Sequence, residues 1–377
     1  MDPRSILREQ IEELQGRVNR VNQAICAPEV GRPGIEPRVL DRVRLRFRQR
    51  LLDQDNSLDI ARHMVLDPEC HLADCQVVFR RACQGCELLF AEALAVLEGA
   101  LARSARLDDG FCDAADRLIA EISKQAQRDW NRFTILYEGE LFSNLAEMIR
   151  IRFPSAGVWD LPIAAHECGH FISTQTWERD RAGDFRHAFQ EFLDANKAEP
   201  ESPPSYHLHE YFADVFAAFA VGPAYALTAL LLRFDASRPY EETDTHPNPA
   251  KRAYLILRTL KWMDRKSLFP HFEGIIDMLS KRWPPDQETR AHGDHFLDHW
   301  LGPMIERNFP LARYETWTKA QVLAQKLGRG RDTKTESEYS LRDVLNAAWL
   351  ARIWTPGSRA AIESAAAALC IVEPGSG

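Results

Sequence analysis

The 377-residue chain has no long hydrophobic run. Its most apolar stretch, CELLFAEALAVLEGALA, is interrupted by Glu87, Glu92 and Glu98, whereas a bilayer-spanning helix needs about 20 predominantly apolar residues. No membrane span is therefore expected. The opening residues, MDPRSILREQIEELQ, lack the apolar segment of a secretion signal. Clustered positive charge is missing too. The 47 Lys and Arg against 55 Asp and Glu leave a net charge of -8 and a pI near 5.9, with no basic stripe to follow a phosphate backbone, so nucleic acid is not an expected partner. No internal repeat is seen either. Eight cysteines are present, but several lie in apolar helical patterns and none builds a short loop-rich framework. Without a secretory signal they are expected as reduced thiols in a cytoplasmic protein.

What is present suits a soluble globular chain. Hydrophobic residues make up 45% and charged residues 27%, enough to bury a large core in two or three domains or subdomains. Ile11, Leu14, Val18 and Val21 recur at 3, 4, 3 spacing, a helical stripe for packing within the chain or, less simply, against a second copy. After the loop APEVGRPGIEPR, helical patterns run from about Val39 to Trp130, with breaks at Asp67-Pro68 and Asp108-Asp109-Gly110. In EMIRIRF, Ile149, Ile151 and Phe153 alternate with arginines, which predicts a short strand, although Leu141, Leu145, Met148 and Arg152 also fit a helix.

A helix is expected to begin near Leu161-Pro162, proline being tolerated in a first turn. A second, HLHEYFADVFAAFAVG, follows the loop KAEPESPPSY and ends at Gly222-Pro223. Beyond the loop DASRPYEETDTHPNPAKR, helices continue to the end, interrupted by GRGRDTKTESEY. The expected architecture is mainly α: an N-terminal helical region over 1–145, a core over 146–260 with at most a small β-sheet, and a C-terminal helical region over 261–377.

The segment LPIAAHECGHFISTQ carries the chemistry. Residues four apart lie on one helical face, so His166 and His170 can present two imidazole nitrogens to one ion, with Glu167 beside them. In an H-E-x-x-H helix, zinc lowers the pKa of a bound water and the glutamate takes its proton. The same five residues could also occur in an ordinary apolar core helix, but buried histidines there would each need a hydrogen-bond partner. Gly169 would allow another helix to approach closely. In HEYFADVFAAF, Glu210 and Asp214 share one face of an otherwise apolar helix, where carboxylates need a reason to be. Glu210 as third zinc ligand, with Asp214 fixing a ligand histidine's tautomer, supplies that reason. Cys168 lies between Glu167 and Gly169 on the side away from the metal, and packing is expected of it.

These motifs resemble those of the gluzincin metallopeptidases, whose zinc comes from H-E-x-x-H and a glutamate within an E-x-x-x-D helix. The pattern is most similar to the HtpX-like and CAAX-prenyl-processing group, because EYFAD matches E-x-x-A-D and HPNPAKR matches H-P-x-x-x-x-R, in that order. The resemblance covers about residues 146 to 260 and omits that group's membrane helices. It implies a zincin-like core holding one Zn2+, with His246 stabilising the oxyanion of the tetrahedral intermediate and Arg252 holding the local structure or a carboxylate of Asp214 or Glu210. Tyr225, Tyr240 and Tyr254 are alternative phenol donors for that oxyanion. It further implies hydrolysis of a protein or peptide substrate, lying extended along the edge of the IRIRF strand. A regulatory partner could bind the helical flanks. A non-catalytic module with a structural or vestigial metal site, and a zinc hydrolase of non-peptide amides or esters, remain open alternatives.

Two further clusters stand out. Cys70, His71, Cys75, Cys83 and Cys86 include a C-x-x-C pair, but Cys75 to Cys83 reads as continuous helix instead of the loop of a zinc finger, so packed thiols are expected. His292, His295 and His299 have no acidic motif in a recognisable order beside them, and a solvated or capping role is expected.

Overall fold

The computed structural model describes residues 2–26, 37–130, 133–138, 141–143, 148–152, 157–179, 185–197, 203–265, 271–330 and 339–371. The chain is mainly helical with two very small sheets and divides into two compact units. Among the described residues no helix is long and apolar enough to cross a membrane.

The first unit is built on three long helices, α1 (Pro3–Cys26), α2 (Pro37–Leu66) and α3 (Leu72–Ser104). Of the stripe foreseen on α1, Ile11 and Val18 are buried and Leu14 and Val21 half-buried; with Leu7 they form the face of α1 that packs on α2, whose Phe47, Leu51, Leu58 and Ala61 are buried. Arg4 closes the end of α2 by donating to the carbonyls of Val65 and Asp67 at 3.1 and 2.9 Å. Asp67-Pro68 separates α2 from α3, as the sequence indicates.

Helix α4 (Phe111–Gln125) begins the second unit after the Asp108–Gly110 break. Next in the chain come three short strands, β1 (Thr134–Tyr137), β2 (Leu141–Ser143) and β3 (Met148–Arg152), in the sheet order β1-β3-β2, with most of β1 and β3 belonging to the first unit. The strand reading of Ile149 and Ile151 therefore holds, while Phe153 lies outside the described residues. One expectation is corrected here. β3 is the central strand of the three, with its hydrogen-bonding sides already paired, so it offers no free edge for an extended substrate.

The rest of the second unit surrounds two helices, α5 (Ile163–Ser173) and, further on, α7 (Ser205–Val221). Both are apolar on nearly every face, which stabilises a helix only in the interior, and both are buried along almost their whole length. Between them come the antiparallel pair β4 (Trp177–Arg179) and β5 (Phe185–His187), with Trp177 opposite His187, and then α6 (Ala188–Lys197).

Helix α7 stops at Gly222, whose φ of 76° suits glycine alone and where a Cβ would strike the Tyr314 ring. Pro223 opens α8 (Pro223–Thr228), which continues as a π-turn over Ala229–Arg233. α9 (Pro249–Arg265), α10 (Glu273–Arg282) and α11 (Gln287–His295) follow, then a second π-turn over Phe296–Leu301 and α12 (Gly302–Asn308). The unit closes with α13 (Trp317–Gly328), α14 (Leu341–Trp354) and α15 (Arg359–Cys370). Where the sequence suggests a separate region from residue 261, α9 runs through that position, and the helices after it belong to the same unit as α5 and α7.

α14 ties this unit together at the α7–α8 corner. Ser340 and Asp343 form a reciprocal cap at its start. One turn on, buried Asn346 donates to the Val221 carbonyl at 2.7 Å and accepts from the Ala224 N–H at 2.9 Å, satisfying backbone groups that the break leaves unpaired. Arg342 adds bonds to the carbonyls of Ala220 and Ala312 and to the carboxylate of Glu121.

Candidate metal centre

α5 and α7 pack directly against each other, and Gly169 is what lets them do so. A Cβ there would lie 2.8 Å from Ala213 Cα. This close approach sets the motif of α5 opposite the carboxylates of α7.

Three side chains converge across that contact. His166 Nε2 stands 3.2 Å from Glu210 Oε2, His170 Nε2 stands 3.2 Å from Glu210 Oε1, and the two imidazole nitrogens are 3.2 Å apart. Ligands 2.0–2.1 Å from one zinc ion at tetrahedral angles are about 3.3 Å from each other. The two histidine nitrogens meet that spacing, each lies 3.2 Å from a different Glu210 oxygen, and one ligand atom from each residue falls within 4.8 Å of the others, close enough to share one ion. Among the described residues, His166, His170 and Glu210 are the group that could hold a metal ion. Glu210 Oε2 makes the same demand. It is buried and has no well-aligned hydrogen bond, although His166 and Arg252 lie beside it.

The surroundings hold this cluster and require positive charge. Asp214 is fully buried, and its Oδ1 lies 3.1 Å from His166 Nδ1. Arg252, in the first turn of α9, grips Asp214 with two bonds, Nε to Oδ2 at 2.7 Å and Nη2 to Oδ1 at 2.9 Å. The same Nη2 is 3.1 Å from Glu210 Oε2, and the Phe234 ring covers the guanidinium at 4.8 Å. Arg252 thus holds both carboxylates that the sequence offered as its partners.

Burial opposes the charge on Asp214, yet Arg252 and His166 keep its carboxyl down at about 2. Burial likewise opposes ionisation of Glu210, but Arg252, His166 and His170 hold it far below the usual carboxylate range. His166 is pushed the other way. Burial alone would lower it, but Glu210 and Asp214 raise it to about 10. The two buried carboxylates thus draw a second positive charge beside Arg252, which the His166 proton supplies in the metal-free protein and a divalent cation would supply in its place.

Glu167 is buried on α5 next to His166. His246 lies on the loop before α9, its side chain 56% exposed and its Nε2 3.8 Å from Glu210 Oε1. That separation is too long for a hydrogen bond and leaves Nε2 able to donate to an incoming oxygen. Thr245 Oγ1 holds its Nδ1 at 2.8 Å, and Thr243 hydrogen-bonds its backbone in both directions. His207 Nε2 in turn contacts the Thr243 carbonyl at 2.9 Å, fixing the loop to α7.

The structure thus brings His166, His170, Glu210, Asp214, Arg252 and His246 together. It corrects two of the three phenols, Tyr225 and Tyr254. Tyr225 is fully buried behind His166 and Asp214, so it cannot face a substrate oxyanion. Tyr254 is engaged with Asp294, and Tyr240 is exposed. Cys168 faces Ser123 of α4, as expected.

The cysteine cluster forms no second centre among the described residues. α3 is continuous through Cys75, Cys83 and Cys86, and burial pushes the Cys86 thiol up to about 11, the opposite of what a metal-ligating thiolate needs. His292 packs among the rings of Tyr211 and Phe296, and the His295 and His299 rings lie 5.2 Å apart at a tilt of 52°, without a ligand set among the described residues.

One neighbour of the site was not singled out from sequence. His209 borders His170 from α7, and burial together with His170 lowers its pKa to about 4, which gives the wall of the centre a neutral imidazole. Its position directly before Glu210 was the only available signal.

Comparison with protein-family models, with curated proteins and with solved structures finds no match for the chain.

Proposed function

We propose that this chain is a zinc-dependent metallopeptidase whose centre is His166, His170 and Glu210. The observation that carries the reading is the convergence of His166, His170 and Glu210, each histidine Nε2 3.2 Å from the other and from one Glu210 oxygen, with a buried glutamate directly after the first histidine. The resemblance of HECGH, EYFAD and HPNPAKR to gluzincin motifs supports it.

A zinc ion held there supplies Lewis acidity toward a water molecule and the scissile carbonyl. Glu167 takes the proton from the attacking water and hands it to the departing amine. His246 donates a hydrogen bond from Nε2 to the oxygen on which negative charge develops, a task suited to an exposed imidazole fixed at Nδ1. Arg252 and Asp214 do no chemistry on the substrate. They fix the orientation of Glu210 and His166 from behind.

The test combines metal analysis with hydrolysis of an unfolded protein substrate. Purified wild type should contain one zinc per chain, and Glu210→Ala should lose it. Glu167→Gln should keep zinc and lose cleavage by several orders of magnitude, because a purely structural metal site has no use for that carboxylate. Full zinc retention in Glu210→Ala would remove the ligand assignment. Undiminished cleavage by a zinc-loaded Glu167→Gln would remove the mechanism.

A further inference from the structure

We infer that Tyr225 is a positioning residue of the metal centre, fixing the ring orientation and tautomer of His166 through its phenol oxygen. This rests on the zinc reading above and adds a residue that none of the three sequence motifs contains.

The Tyr225 hydroxyl makes a short hydrogen bond to Asp214 Oδ1 and stands 3.1 Å from His166 Nδ1. Its ring lies nearly parallel to the imidazole, at 8°. The residue is fully buried, so no water competes for that oxygen. A phenol has one proton, and the carboxylate takes it. The remaining lone pair of the phenol oxygen then faces Nδ1, which can approach it only as an N–H donor. With an ion in place, His166 would therefore carry its proton on Nδ1 and present Nε2, the nitrogen that faces Glu210 and His170, as the ligand.

Asp214 alone would set this tautomer less firmly. Arg252 already claims both of its oxygens, so Oδ1 is shared among Arg252, Tyr225 and His166. Tyr225 gives Nδ1–H a second acceptor. Its placement comes from the α7–α8 corner, since Tyr225 sits in the first turn of α8, three residues past Gly222.

Tyr225→Phe keeps the ring and removes only the oxygen. Zinc affinity measured by competition with a chromophoric chelator should weaken about 10- to 100-fold, the usual effect of losing a group that orients a metal ligand. Thermal unfolding of the metal-free protein reports any general packing defect separately. Zinc-loaded wild type, labelled with 15N-histidine, should also show a slowly exchanging His166 Nδ1 proton with a nuclear Overhauser contact to the Tyr225 ring.

Wild type that binds no zinc would refute the metal reading itself. Wild type that binds zinc alongside a Tyr225→Phe variant of equal affinity would refute this inference alone. Should the variant not fold, the wild-type spectrum decides, because a missing Nδ1–H contact to Tyr225 overturns the assignment and its presence upholds it.

Discussion

Gly169 of α5 and Ala213 of α7 meet backbone to backbone, a Cβ on the glycine falling 2.8 Å from Ala213 Cα and 3.1 Å from its carbonyl oxygen. The contact lies between His166 and His170 on one helix and between Glu210 and Asp214 on the other, so the spacing of the two helices is also the spacing of the ligands. Gly169→Ala should force them apart. Overpacking of this kind costs about 1–3 kcal/mol, measurable by chemical unfolding of the metal-free protein, and zinc affinity should fall with it. An alanine variant of unchanged stability and affinity would mean that the helices do not meet as described.

The ligand set was legible because helical spacing alone brings His166 to His170 and Glu210 to Asp214, and because carboxylates on an apolar helix demand a cation. Arg252 was legible as part of a motif and received its partners from the structure. The role of Tyr225 was not, since it depends on the angle that α8 takes after Gly222, which no periodicity encodes. Strand alternation in MIRIR was equally silent about neighbours, so the central position of β3 could not be read. The helices after residue 261 are amphipathic in a way that fits many partners. That α14 covers the α7–α8 corner follows from single side chains, Arg342 and Asn346, whose sequence context carries no signal.

Asn346→Ala tests that corner. Removing the amide leaves the Val221 carbonyl and the Ala224 N–H buried without their partner, each costing about 1–3 kcal/mol, so a total loss of about 2–6 kcal/mol is expected in denaturant unfolding. Zinc affinity should weaken as well, because Ala224 precedes Tyr225. A loss below about half a kcal/mol would show that water or a backbone shift satisfies the break.

His292 makes the stability dependent on acid. Burial among Tyr211 and Phe296, with Lys251 and His295 near it and Glu242 opposing them, lowers its pKa from 6.5 to about 4. Between those values the unfolded chain binds a proton that the folded chain does not, so stability is complete above pH 6.5 and declines as the pH falls toward 4. After allowance for its partial exposure, the contribution is about 1–2 kcal/mol. His292→Phe, which suits the aromatic surroundings, should flatten unfolding free energy against pH across this window. A slope equal to that of wild type would assign the acid sensitivity to other groups.

The helical cysteines should be irrelevant to metal content. Cys83→Ser leaves the continuous α3 intact and touches no ligand of the α5–α7 centre, so zinc should stay at one per chain and resist removal as in wild type. Two zinc ions in wild type, falling to one in the variant, would establish a second site at Cys70, Cys75, Cys83 and Cys86.

His246 separates chemistry from metal binding. Its Nε2 is 3.8 Å from Glu210 Oε1, outside the ligand cluster, while its Nδ1 is held by Thr245, so the imidazole can be removed without disturbing a ligand. His246→Ala should therefore keep zinc affinity and stability close to wild type. A donor that meets the oxygen only once it carries charge stabilises the transition state and not the bound substrate, so kcat should fall about 10²- to 10³-fold with little change in KM. A rise in KM at constant kcat would instead make His246 a substrate-binding contact. Loss of zinc would make it a fourth ligand, and the distance to Glu210 would then have to shorten when metal binds.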